Sequence, residues 1–144
     1  MTVSTHKPTT WFWIISIVSL IWNLIGVMAF YMQLSMAPEA IHAMPLAEQE
    51  LYTSMPSWTM YAFALAVLGD TLGSVLLLLR KRLATPVFII AFVFTLAQMV
   101  YTIFISNLLA VRGAGSAVLP VTILLVGLLL IWFANRSANK GWLK

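Results

Sequence analysis

Four apolar runs, at about 11–33, 58–80, 86–108 and 117–135, organise this chain, and the charges fall almost entirely between them. At ~1.5 Å rise per residue, each run reaches across roughly 30 Å of hydrocarbon as a helix. The consecutive leucines Leu76 to Leu79 are incompatible with the in–out alternation of a membrane β-strand. Lipid offers an exposed backbone no hydrogen-bond partner, so helices are the expected form. The pattern predicts an all-α, integral membrane four-helix bundle, antiparallel up-down, with residues 1–144 forming a single membrane domain.

The connections have their own signals. In the outer loop, 34–57, Pro38 and Pro45 are each placed to open a short helix. Glu48 and Glu50 then lie near an N-terminus, where negative charge is favourable. Leu46, Leu51 and Met55 fall along one side of that loop, which is expected to rest on the outer membrane surface. Thr85 and Pro86 read as the N-cap and first residue of the third span, making spans two and three antiparallel neighbours. Arg112 to Ser116 reads as a flexible turn, and the chain has no internal repeat or low-complexity segment.

Composition reinforces this picture: 62% of residues are hydrophobic and 8% charged, with a mean hydropathy of +0.98. A soluble domain needs a charged surface, so lipid is the expected solvent and the bilayer the first partner. The chain has no Cys, which excludes disulfides, thiolate metal sites and Cys-ligated iron–sulfur clusters. The net charge of +4 suggests nucleic acid only until the cations are located. Lys7, Arg80, Lys81, Arg82, Arg136, Lys140 and Lys144 flank the apolar runs on one side, and only Arg112 lies on the other. The positive-inside rule therefore puts both termini in the cytoplasm, and no nucleic-acid partner is expected. Only His6 and Lys7 precede the first run, and no small-x-small site follows it, so it reads as an uncleaved span. Trp11, Trp13, Trp58, Tyr61 and Trp132 lie near span ends, where amphipathic rings favour the headgroup layer.

Polar residues inside the spans are the candidate chemistry. Ser16, Ser19, Asn23 and Gly26 recur at helical spacing in span one, as do Ala91, Thr95, Gln98, Thr102 and Ser106 in span three. Span two carries Ala62, Ala66, Gly69 and Gly73, with Asp70 beside that stripe and Ser74 one turn on. The small residues Gly26, Gly69 and Gly73 are candidates for close helix packing. Span four offers only Thr122 and Gly127. Asn23, Asp70 and Gln98 each lie twelve positions from the first residue of their span. That is ~18 Å of helix, near the midplane of a ~30 Å core, and predicts one shared polar layer. A midplane aspartate costs roughly 2.5–3.5 kcal/mol on insertion scales, and the leucines of its own span offset about that much.

Two readings of Asp70 stand side by side: a protonation or cation site on a solute pathway, or a neutral acid bonded to Asn23 or Gln98 that fixes helix register. Met28, Met32, Met36 and His42 form a Cu(I) alternative on the outer side, set against methionine's ordinary role as a gap filler. Otherwise no metal and no cofactor is expected. His6 and His42 both lie outside the spans, which removes a bis-His haem between helices. The chain lacks a Ser-His-Asp set, an HExxH and a phosphate-cradling glycine loop, so catalysis is not expected.

Trp22 to Ala29, Leu51-Tyr52 before Pro56-Ser57-Trp58, Leu76 to Lys81, and the closing Lys140-Gly141-Trp142-Leu143 resemble an uncharacterised family of small bacterial inner-membrane proteins with four transmembrane helices. Some of its members are labelled "sugar transporter", and its architecture is similar to that of DoxX-like proteins. The resemblance covers nearly the whole chain and implies a multi-pass protein of the bacterial inner (cytoplasmic) membrane. That family's pattern has a small residue, often Gly, where Asp70 stands, so a mechanism built on Asp70 would not be general to it. The function expected first is small-solute or proton-linked transport through the polar layer. The alternative is a non-transporting accessory or structural protein that packs as a homo-oligomer or with a larger membrane partner.

Overall fold

The computed structural model describes residues 6–144; residues 1–5 of the domain read from the sequence lie outside the described residues. The four apolar runs become four long helices, each apolar enough to cross a membrane. They are α1 (Thr10–Leu34), α4 (Ser57–Leu78), α5 (Ala84–Val100) with its helical continuation to Ile105, and α7 (Val118–Asn139) with the helical turn from Ala114 that leads into it. Shorter helices lie between them: α2 (Pro38–His42), α3 (Leu46–Thr53) and α6 (Leu108–Arg112). No strand occurs among the described residues. Pro38 is the first residue of α2 and Pro45 directly precedes α3, where proline's missing N–H costs nothing.

Neighbouring long helices run antiparallel. Asn23 and Gly26 of α1 meet Asp70 and Val67 of α4. Gly69 and Gly73 of α4 face Ala91 and Phe88 of α5, and Gly127 of α7 faces Phe92. The largest cluster of buried apolar side chains sits at one end: Phe12, Leu77, Phe88, Leu130, Trp142 and Leu143, with Ala84 and Ala134 between them. Every Lys and Arg except Arg112 lies at this same basic end. Phe12 closes the ring there, stacking on Phe133 of α7 at 5.8 Å and edge-on to Trp142 at 5.7 Å. The opposite, loop end carries α2, α3 and α6, tied by an ion pair of 3.3 Å between Arg112 and Glu48.

Four boundaries differ from those expected. The third long helix begins at Ala84 with Leu83 before it, so Thr85 does not cap. The Thr85 hydroxyl is instead buried without a partner among the described residues. The cause is distant in sequence: Trp142–Lys144 folds back onto the α4–α5 turn and sets its shape. Lys144 N–H donates to the Arg80 carbonyl at 2.6 Å, and Arg82 N–H donates to the Lys144 carbonyl at 2.9 Å. The Arg80 and Arg82 side chains add bonds to the carbonyls of Trp142 and Leu143 at 2.7 and 3.3 Å. The Arg80 backbone sits at φ 58, a left-handed position that costs a non-glycine residue about 1–2 kcal/mol and is held here by those bonds. Gly141, at φ 74, ends α7 in the same way without that cost.

Two of the others lie at the loop end. The expected span to residue 108 stops being α-helical at Val100 and continues as a π-helical turn, Tyr101–Ile105, before Ser106 extends and α6 starts. The turn expected at Arg112–Ser116 comprises the last residue of α6, Gly113 at φ 84, and part of a tight helical turn, Ala114–Ala117. At the basic end α7 runs on to Asn139, past the expected 135.

Candidate functional site

The polar stripe of α1 packs against α4 as a hydrogen-bonded ladder. Asn23 Nδ2 donates to Ser74 Oγ at 2.7 Å and to the Asp70 backbone carbonyl at 3.1 Å. Ser19 Oγ lies 3.3 Å from Ser74 Oγ and 2.9 Å from the Ser16 carbonyl, and Ser16 Oγ donates to Phe12 O at 2.7 Å. All four of these polar side chains are buried. Their sequence spacing explains the ladder: steps of three and four residues keep Ser16, Ser19 and Asn23 on one helix face. Ser19 and Asn23 find partners in α4 and Ser16 one in its own helix, which offsets the desolvation cost they would otherwise carry.

Asp70 is placed differently from the expectation. Asn23 reaches its backbone carbonyl, and its carboxylate makes no hydrogen bond or ion pair among the described residues. At ~100° per residue, Asp70 falls between two sets of α4 positions: Val67 and Ser74, which meet α1, and Gly69 and Gly73, which meet α5. This sets it between the two contact faces of α4, and its side chain is half-buried.

Gln98 does not share that level. Gly69 faces Ala91 and Gly73 faces Phe88, so the register sets Gln98 beside Ala62 and Phe63, roughly 11 Å toward the loop end from Asp70. Equal counts from span starts mislead here because the two helices run in opposite directions and each residue lies past the middle of its own. Asp70 is displaced toward the basic end and Gln98 toward the loop end, and the displacements add. The expected three-residue layer is therefore a pair, Asn23 and the Asp70 backbone. Thr95, one turn below Gln98, bonds only its own helix, to the Ala91 carbonyl at 3.0 Å.

The expected packing glycines are at contacts. A Cβ on Gly69 would stand 2.9 Å from that of Ala91, one on Gly73 would stand 2.7 Å from the Phe88 ring, and one on Gly26 would touch Val67 at 3.4 Å. Met28, Met32 and His42 are exposed and Met36 half-buried, and no group of three His or acidic side chains converges among the described residues.

Two hollows escaped the reading of the sequence. One of about 440 Å³ at the loop end includes Glu50, Ser54 and Asn107 in its lining. The other, about 370 Å³, lies at the basic end between the start of α1 and the end of α7, against His6, Lys7, Thr9, Asn139, Lys140 and Trp142. The closing Lys140-Gly141-Trp142-Leu143 was the signal for the second, since a tail with a large apolar pair must pack somewhere. No protein-family model, curated protein or solved structure matches this chain.

Proposed function

We propose that this chain is a multi-pass protein of a bacterial inner membrane, with both termini in the cytoplasm, serving as a non-transporting accessory subunit. Asp70 is the point through which it holds a second copy of itself or a larger membrane partner. One observation carries this reading: the α1–α4 ladder satisfies its own polar groups, while the Asp70 carboxylate is left half-buried and unpaired. An acid at that depth calls for a partner, and none lies among the described residues. The orientation rests on seven cations at one end against Arg112 at the other. The resemblance to the family of small four-helix inner-membrane proteins supports the location and adds no activity.

Native mass measurement and crosslinking of the bilayer-reconstituted protein test the proposal. Self-association is expected for the wild type and a loss of at least tenfold for Asp70→Leu, with Asp70→Asn retaining most of it through its amide. A wild type that stays monomeric removes the second copy as partner, and an Asp70→Leu variant that associates equally well removes the role of Asp70. Proton-linked transport is the second reading, favoured by an unpaired acid in the interior stretch of a membrane-length helix. It requires proton uptake into proteoliposomes that Asp70→Asn abolishes.

A further inference from the structure

We infer that the hollow between the start of α1 and the end of α7 binds a phosphate oxyanion, of the kind carried by an anionic lipid headgroup or by a free phosphate. The lipid source rests on the membrane reading above. Lys7, Lys140 and His6 face this hollow, and no carboxylate lines it. No acidic side chain lies at this end: the four are Glu39, Glu48 and Glu50 in the outer loop and Asp70 within α4. The lysines here consequently have no acidic side chain to pair with, whereas Arg112 at the other end has Glu48. Thr9 brings the start of the 25-residue α1 to the same place, where no side chain caps the first N–H groups and no acid occupies the first turn. Those N–H groups and the helix dipole add to the attraction for an anion.

The hollow is also held in shape. Lys140 Nζ sits 4.6 Å from the centre of the Trp142 ring, which steadies the ammonium without neutralising it. Trp142 itself is anchored by its N–H to the Ser137 carbonyl at 3.0 Å and by its carbonyl to Arg80 Nε at 2.7 Å. At about 370 Å³ the space falls within the ordinary range for small-ligand sites. It lies where the apolar stretches of α1 and α7 end, the level at which headgroup phosphates would sit.

Native mass spectrometry of the protein from nanodiscs holding phosphatidylglycerol and phosphatidylcholine in equal amounts reads the lipid arm. The wild type is expected to retain phosphatidylglycerol at least fivefold over phosphatidylcholine, the double variant Lys7→Gln/Lys140→Gln less than twofold, and Lys81→Gln, outside the hollow, as much as the wild type. Titration of inorganic phosphate against detergent-solubilised protein, followed by phosphorus resonance broadening, reads the soluble arm. Saturable broadening lost in the double variant assigns free phosphate. Lipid selectivity without such broadening assigns the headgroup. Equal retention of both lipids with no saturable broadening overturns the inference, as does a Lys81→Gln loss matching that of the double variant. Failure of the protein to float with liposomes would remove the membrane reading and the lipid source, while the phosphate titration still decides the hollow.

Discussion

Helix α4 is held on its two sides by unlike seams. Against α5 it presents Gly69 and Gly73, and the apolar Ala91 and Phe88 close onto its backbone. Against α1 it presents Ser74 and the Asp70 carbonyl, and Ser19 and Asn23 hydrogen-bond across the gap. The first seam gains from dispersion over a close approach, which any bulge forfeits. The second gains from directional bonds that tolerate small shifts in spacing. In a lipid solvent, where apolar contact with tails competes evenly with contact between helices, both devices are needed to choose a neighbour. Asp70 lies between the two seams, and neither accounts for its carboxylate.

The largest effect is expected where packing is tightest. Gly73→Val would put new atoms into the Phe88 ring, which is buried on every side and has nowhere to move. A loss of about 2–3 kcal/mol is expected, by the usual cost of overpacking. Equilibrium unfolding in mixed detergent micelles would read it as a lowered midpoint. An unchanged midpoint would mean that the α4–α5 seam is looser than its distances indicate, and the contrast between the seams would collapse.

The polar seam should give way more gently. Asn23→Leu removes both bonds from the amide but leaves Ser74 its contact with Ser19. Interhelical hydrogen bonds in membranes are worth about 0.6 kcal/mol on average and up to about 1.7, so a loss near 1 kcal/mol is expected in the same unfolding measurement. A loss exceeding that of Gly73→Val would reverse the ranking and make the ladder the principal clamp on α4.

How much of this was readable from residues alone follows from the range of each interaction. Continuity of apolar side chains sufficed to place α1 and α4 within two residues, because a membrane-length helix is set by local composition. The α1 stripe was visible as well, since i, i+3 and i+4 spacing is a local property. Three features were not. Thr85 and Pro86 carry a good capping signal, yet the turn before them answers to Lys144, some sixty residues away. The depth of Gln98 depends on the antiparallel register of α4 with α5, which the Gly69–Ala91 contact fixes and no count along a single span can supply. The basic hollow needs the ends of α1 and α7 to meet, and that follows from Phe12 packing on Phe133 and Trp142.

The smallest predicted effect isolates what the ladder contributes beyond polarity itself. Thr95 is as buried as Asn23 and is likewise polar, but its hydroxyl bonds to the Ala91 carbonyl of its own helix. That carbonyl keeps its place in the α-helical ladder when the hydroxyl is removed, and Val reproduces the shape of Thr. Thr95→Val should therefore shift the unfolding midpoint by less than about 0.5 kcal/mol, the ordinary range for a substitution that breaks nothing between elements. Ser74 is the matched opposite: its hydroxyl accepts from Asn23 and meets Ser19, both across the seam. If Thr95→Val cost as much as Ser74→Ala, buried polarity alone would explain the ladder's effect. The claim that α1 and α4 recognise each other through directed bonds would then fail.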